Sequence, residues 1–169
     1  SCSILAAKSN RHLGKYRESV RALDSAIVEA RTLRSPDSYL LLSLYTEIAH
    51  VAIALSSPSL LKPHLFEADR HLRSIRPKGH HQFSDVLYAS VVLADATAHL
   101  NLDFDGPSTI QRAIKMAAMP LLESDTDMVE MAYFQLALGE IQAGRAVNAT
   151  KAVSMLNRTR SVSSDYCSK

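Results

Sequence analysis

The amino-acid sequence predicts an all-α protein, and three observations lead to this prediction. The 169 residues include only 5 Gly and 6 Pro, and 47% of them are hydrophobic, so long helices can bury a core. Alternating β-branched runs between turn dipeptides, which are typical of strands, are nearly absent. Apolar residues instead recur at helical spacing between short clusters of Pro, Gly, Ser and Asp, which are typical of helix ends.

The first four predicted helices precede the break at residues 76–81. Gly14 separates the first two helices, because glycine readily adopts the left-handed conformation that ends a helix. A serine or aspartate within 35–38 can cap the third helix, since its side-chain oxygen satisfies a backbone N–H. The segment 56–59, with a proline at position 58, separates the third helix from the fourth. We therefore expect helices at residues 2–13, 16–33, 37–55 and 60–75.

The last four predicted helices follow the same logic. The segment 103–107 ends in Gly-Pro and separates the fifth helix from the sixth. Asp125 or Asp127 can cap the seventh helix and complement its dipole. Gly144 separates the seventh helix from the eighth. We expect helices at residues 83–102, 107–122, 128–143 and 147–160, which gives a single domain over 1–160 and a flexible polar tail over 161–169.

Two stretches combine a glycine, an aromatic residue and small residues at helical spacing. The first stretch runs Gly14-Lys15-Tyr16-Arg17-Glu18-Ser19-Val20-Arg21-Ala22-Leu23-Asp24-Ser25-Ala26-Ile27. The second runs Tyr133-Phe134-Gln135-Leu136-Ala137-Leu138-Gly139-Glu140, followed by Gly144-Arg145-Ala146-Val147-Asn148-Ala149. Small residues let two antiparallel helices approach closely, and the aromatic ring fills the space beside the turn. The pattern resembles the tetratricopeptide (TPR) family of helix–turn–helix repeats.

The resemblance implies a stack of about four antiparallel helix pairs that serves as a protein-binding scaffold. The turns within the pairs recur about every 43 residues, compared with about 34 in a standard TPR, so each helix is about a turn longer. The second and third pairs lack the glycine-aromatic signature. An irregular helical bundle would produce similar breaks and remains the alternative fold.

Composition and charge argue against several classes of protein. The net charge of +2 and the pI of about 8.6 are too small for a protein that binds a nucleic acid backbone directly. The longest apolar stretch, 39–55, is interrupted by Glu47 and His50, so we expect no membrane span. Two cysteines are too few for a disulfide framework, which favours an intracellular location, in the cytoplasm or the nucleus.

We find no catalytic, metal-binding or cofactor-binding pattern. His64 and His71 are seven residues apart, whereas two metal ligands on one helix are usually three or four apart. Gly-rich phosphate loops and nucleophile elbows are absent from the sequence. Glu47 lies within an apolar helix, where it is either a lone polar residue in a groove or a residue that faces solvent. We therefore expect a protein that is not an enzyme.

Basic residues cluster in the first two pairs. The first cluster is Lys8, Arg11, His12 and Lys15, and the second is Arg70, His71, Arg73, Arg76 and Lys78. Each cluster is either a solvated helix face or a surface that attracts an acidic peptide. A carboxylate clamp of the kind found in some TPR domains is disfavoured, because Val51 and Ala54 stand where polar partners are expected.

The TPR resemblance implies that the first helix of each pair lines a concave groove. Alignment of the helices on their turns predicts these groove residues: Lys8, Arg11, His12, Leu44, Glu47, Val51, Val92, His99, Met131, Phe134, Leu138 and Ile141. Such a groove grades from basic to apolar and requires cover, from a partner helix, from another part of a longer chain or from self-association. If the register is shifted by one residue, the apolar side chains pack within the pairs instead.

Two functional hypotheses follow. In the first, the chain is a non-enzymatic interaction scaffold, and its groove binds a helix or an extended, acidic peptide of another protein. It would then be a segment of a larger regulatory or assembly subunit. In the second, the chain is the effector-sensing domain of a transcription regulator, and its cavity binds a small ligand. Binding to a protein partner favours the first hypothesis, and stabilisation by a small ligand alone favours the second.

Overall fold

The predicted all-α fold is confirmed, since helices account for all of the regular structure in the described residues. The computed structural model describes residues 2–33, 37–78, 80–116, 130, 132–134, 136–137, 150–155 and 157. Its helices are α1 (Cys2–His12), α2 (Tyr16–Thr32), α3 (Ser38–Ala54), α4 (Pro58–Leu61), a 3₁₀ turn (Lys62–His64), α5 (Leu65–Ser74), α6 (His80–His99) and α7 (Gly106–Met116). The described residues within 130–137 and 150–157 are also helical.

The chain divides into two compact units. Unit 1 contains residues 1–76 together with 99–104, and unit 2 contains 77–98 and the residues from 105 onward. Most of the polar and charged contacts described below lie in unit 1. The predicted tail at 161–169 lies outside the described residues.

The turn between α1 and α2 is a Schellman motif, as Gly14 led us to expect of this helix end. Gly14 has a φ of +72°, and its N–H donates to the carbonyl of Arg11 at 3.0 Å. The N–H of Lys15 donates to the carbonyl of Asn10 at 2.8 Å. These two bonds satisfy carbonyl groups that the end of α1 would otherwise leave unpaired. The chain can therefore reverse and begin α2 at Tyr16.

The same motif ends α3, although no glycine is present there. Ser56 has a φ of +48° and donates its N–H to the carbonyl of Ile53 at 2.9 Å. The N–H of Ser57 donates to the carbonyl of Ala52, also at 2.9 Å. Asn101, just after α6, is a third left-handed residue, with a φ of +52°. The three left-handed residues are thus 42 and 45 residues apart in the chain.

Helix packing within unit 1 follows the order of the chain. Helix α1 contacts α2 and α3, and α3 in turn contacts α2, α4 and α5. One face of α2 is buried, through Ser19, Leu23, Ala26, Ile27 and Ala30. The hydroxyl of Ser19 donates to the carbonyl of Ala7 at 2.9 Å, and Ala7 is fully buried. Small residues on both helices therefore allow α1 and α2 to approach closely.

The second helix of the second pair differs from the prediction of one helix over 60–75. Proline begins α4 two residues earlier, at Pro58, a first helical position where its missing N–H does no harm. The 3₁₀ turn Lys62–His64 then separates α4 from α5. Pro63 lies in this turn and has no N–H for an α-helical bond, so the helix tightens locally.

Asp37 caps α3 by accepting from the N–H of Tyr39 at 2.9 Å.

In unit 2, α6 is buried on most of its faces, and its buried hydroxyl groups, Ser90 and Thr97, donate to carbonyls of the same helix. The hydroxyl of Ser90 donates to the carbonyl of Val86 at 2.8 Å, and that of Thr97 donates to Leu93 at 2.7 Å. Gly106 begins α7 and lies close to α6. A Cβ at this position would lie only 2.7 Å from the Cβ of Ala94. Glycine therefore allows this approach of the two helices.

Candidate functional site

A charged cluster joins α1 to α3. The carboxylate of Glu47 is buried, since the residue is only 3% exposed. Its Oε2 accepts from Nε of Arg11 at 3.0 Å, and its Oε1 lies 3.7 Å from Nζ of Lys8. Two cations thus compensate one buried charge, which would otherwise be costly to desolvate. The cluster fixes the first helix of one pair to the first helix of the next.

The contacts of Glu47 differ from both interpretations that the sequence offered for this residue. They also reduce the positive charge expected at the basic end of the groove. Glu47 neither faces solvent nor stands alone. The side chains of Lys8 and Arg11 are 46% and 23% exposed, and the charged groups of both contact Glu47. His12 is exposed at the end of α1. Because Glu47 offsets part of their charge, Lys8 and Arg11 present less net charge to a partner than the sequence suggested.

A second polar cluster surrounds Tyr45, which is fully buried on α3. Its hydroxyl lies 3.5 Å from Nη2 of Arg31 on α2 and is hydrogen-bonded to Glu67 on α5. Arg31 also forms an ion pair with Glu67. Burial, followed by the hydrogen bond with Glu67, raises the pKa of Tyr45 to about 12. The phenol is therefore protonated at neutral pH and connects three helices.

Arg31 and Glu67 both keep their charges although they are partly buried. Burial alone would raise the pKa of Glu67, but the hydrogen bonds from Tyr45 and Arg31 outweigh it and lower that pKa below its usual value. Burial likewise acts to lower the pKa of Arg31, yet its bonds to Glu67 and Tyr45 raise it. Both groups are consequently charged at neutral pH and hold α2 against α5.

Two histidines pack against the ring of Tyr45. His64 stacks on it with the ring centroids 5.6 Å apart, and the centroid of His71 is 6.5 Å away. Nδ1 of His71 contacts the hydroxyl of Ser38 at 3.0 Å. Burial, followed by the charge of Arg31, lowers the pKa of His64. Burial, followed by the charge of Arg70, lowers the pKa of His71, so both rings are neutral at pH 7.

In the polar cluster around Tyr45, the ring of His71 lies close to the carboxylate of Glu67 without a hydrogen bond between them. Nε2 of His71 lies 3.9 Å from Oε1 of Glu67, too far for a hydrogen bond. Tyr45 is covered by the protein, and the rings fill the space between the helices. No group of three or more His, Cys, Asp or Glu residues among the described positions is arranged to hold a metal ion.

Three of the four predicted apolar groove residues that the structure describes are covered by the chain itself. Leu44, Val51 and Val92 are buried, so they cannot line a surface that is open to a partner. This corrects the groove at those positions, and it is what a shifted register predicts, because a shift turns apolar side chains into the core. Four predicted groove residues are exposed: Lys8, His12, His99 and Phe134. Three others lie outside the described residues: Met131, Leu138 and Ile141.

A depression between α2, α3 and α4 is too small for an organic ligand. It is lined by Val20, Leu23, Asp24, Ile48, Val51 and Leu60. The space within it is on the order of one water molecule. This depression therefore does not favour the hypothesis of a small effector.

None of the described helices is both long enough and apolar enough to cross a membrane.

Sequence reasoning missed the cluster around Tyr45. Its members come from three helices and the 3₁₀ turn, and Arg31 and His71 are 40 residues apart, so no local pattern joins them. The only signal was the spacing of His64 and His71, which places two rings on similar sides of one segment.

Comparison of the chain with protein-family models, with curated proteins and with solved structures gave no match.

Proposed function

We propose that this chain is a non-enzymatic interaction module of TPR-like helix pairs, which binds a helix or an extended peptide of a partner protein. The observation that carries the proposal is the recurrence of one arrangement along the chain. A helix ends in a left-handed residue at Gly14, Ser56 and Asn101, and a second helix follows each time. Stacked pairs of this kind form extended surfaces on which a partner chain can lie.

The surface of α1 and α3 around Glu47 is the candidate binding surface in unit 1. These two helices are the first of consecutive pairs, which line the concave side in the TPR family. Lys8 and Arg11 are held in place by Glu47, so a partner would lose little side-chain entropy in ordering them. Their charges favour a partner that carries carboxylates near this surface.

The proposal is tested by selecting peptides from a displayed library and measuring each one in solution by fluorescence anisotropy. We expect related peptides with Kd values on the order of micromolar. The double variant Lys8→Gln/His12→Ser should weaken binding by about tenfold, because it removes polar contacts while Arg11 still pairs with Glu47. Arg17→Gln, an exposed charge on α2, is the matched control and should bind as the wild type does.

Two results would contradict the proposal. One is a library from which no selected peptide binds in solution, although the chain is folded by circular dichroism. The other is a small molecule that raises the melting temperature while no peptide does so, which would support the effector-sensing alternative.

A further inference from the structure

The outer face of α5 combines an exposed aromatic ring with exposed cations. The inner side of this helix is buried through Leu65, Ala68, His71 and Leu72. Phe66, Arg70 and Arg73 are spaced by four and three residues and therefore lie together on the opposite side. We call these three residues the α5 outer face. Phe66 is 83% exposed, more than any other large apolar side chain in the described part of the chain.

Charge on this face is arranged with the cations outward. Residues 62–76 contain four cations, Lys62, Arg70, Arg73 and Arg76, and only two carboxylates, Glu67 and Asp69. The side chain of Arg70 is 64% exposed, and its Nη2 lies 3.6 Å from Oε1 of Glu67. Glu67 is only 21% exposed and also pairs with Arg31 of α2, so one carboxylate is shared by two cations. The other carboxylate, Asp69, pairs with Nε of Arg73 at 2.6 Å. The surface that meets water is therefore positive.

Arg76 extends this positive surface beyond the end of α5. Its Nη1 donates to the carbonyl of Arg73 at 2.8 Å and to that of Ile75 at 3.0 Å. A guanidinium at the carboxyl end of a helix also complements the helix dipole. These bonds fix the cation beside the outer face, so it is available to an anionic partner with little loss of conformational entropy.

We propose that the α5 outer face binds an acidic segment of a partner protein, with an apolar residue of that segment against Phe66 and its carboxylates against the surrounding cations. This face lies on α5, apart from the surface of α1 and α3 around Glu47, so the inference adds a second contact to the proposed interaction module. Arginine forms charge-assisted hydrogen bonds with carboxylates, and an aromatic side chain surrounded by polar contacts is a typical binding anchor. Charge complementarity thus selects an acidic occupant.

Other anionic partners fit this face less well. A helix that lies on a membrane requires a broad apolar side, but Phe66 is the single apolar residue on the α5 outer face. A nucleic acid backbone requires many cations, but the whole chain carries a net charge of only +2. One aromatic anchor with a few cations around it matches the size of a short peptide motif.

The probe is a short synthetic peptide with a central leucine flanked by glutamates, measured by fluorescence anisotropy with the full chain. Two companion peptides replace the glutamates by glutamine or the leucine by serine. We expect saturable binding of the first peptide only. Phe66→Ser should weaken it by about tenfold. Arg70→Gln should weaken it less and should make binding less dependent on salt.

Matched controls separate the α5 outer face from general effects of apolar area and charge. Leu5→Ser removes an exposed apolar side chain from α1, and Arg21→Gln removes an exposed charge from α2. Both should bind the acidic peptide as the wild type does. All four substituted side chains are exposed, so melting temperatures should remain close to that of the wild type.

Several results would overturn the inference. Equal binding of the glutamine peptide, or unchanged binding by Phe66→Ser, would exclude this mode of recognition. Binding of phosphatidylserine vesicles or single-stranded RNA through Phe66, without binding of the acidic peptide, would assign the face to another partner. If library-selected peptides bind but the acidic probe does not, this inference fails and the proposed function stands. If no peptide binds at all, both fail.

Discussion

Single residues in unit 1 acquire their roles from neighbours that are distant in the chain. Glu47 looked like an isolated polar residue in an apolar helix, and only α1 supplies the cations that make its burial tolerable. Tyr45 likewise depends on α2 and α5. The sequence predicted the positions of these residues on helices, but it could not predict the pairings, because a tertiary contact leaves no local periodicity.

The buried histidines make the stability of unit 1 sensitive to acid. The pKa values of His64 and His71 are lowered on folding, so the folded state favours their neutral forms. Their contribution is complete above the unfolded pKa of about 6.5 and is lost as the pH falls through the lower folded values. Glu67, whose pKa is also lowered, adds a further loss below its usual pKa of 4.5. We expect the melting temperature to fall between about pH 7 and pH 5.

The measurement is a series of thermal melts across this pH range for the wild type and for the double variant His64→Gln/His71→Asn. The variant should melt at a lower temperature at pH 7, because it loses ring packing against Tyr45. Its melting temperature should, however, vary less with pH. A wild-type melting temperature that stays constant or rises on acidification would show that these rings are not held neutral by the fold.

At the scale of the elements, the turns show why sequence signatures recur only in part. Gly14 was recognisable because glycine is the usual left-handed residue at a helix end. Ser56 and Asn101 adopt the same conformation with other side chains, so the second and third turns carried no such signature. Most helix bounds agree with the prediction within about three residues. The break at Pro63 was missed because the apolar spacing continues across it.

The two described glycines at helix ends should respond to alanine for different reasons. At Gly14 a Cβ would meet nothing within 4 Å, but the φ of +72° is strained for alanine. At Gly106 a Cβ would lie 2.7 Å from the Cβ and 3.1 Å from the Cα of Ala94, so the helices must move apart. We expect Gly14→Ala to cost about 1 kcal/mol and Gly106→Ala about 1–3 kcal/mol.

Urea unfolding followed by circular dichroism measures both costs. Ser56→Gly is the converse control, since glycine relieves the strain of a left-handed serine and should destabilise the protein little or even stabilise it. Ala54→Gly, at the exposed last position of α3, should instead cost about 0.5 kcal/mol. If Ser56→Gly destabilised the protein as much as Ala54→Gly, the left-handed conformation at Ser56 would be in doubt.

At the scale of the whole molecule, the sequence grades from basic residues in the first pair to apolar residues in the fourth. Lys8 in unit 1 and Phe134 in unit 2 are each exposed. Leu44, Val51 and Val92 are buried and are therefore not candidates for partner binding. The all-α class was predictable from composition and spacing, whereas the surface required knowledge of which helix faces are covered.

If the chain binds partner peptides, its two ends should contribute in different ways. Phe134 is 49% exposed, so Phe134→Ala should leave the protein folded. An aromatic side chain buried against a peptide can cost about 2–4 kcal/mol on truncation, mainly through faster dissociation. Lys8→Gln removes a solvent-screened charge and should mainly slow association and weaken the salt dependence. Stopped-flow kinetics with library-selected peptides separates the two effects. Normal binding by folded Phe134→Ala, together with loss of binding by Lys8→Gln at physiological salt, would exclude an apolar anchor at Phe134 and would locate recognition in the basic first pair.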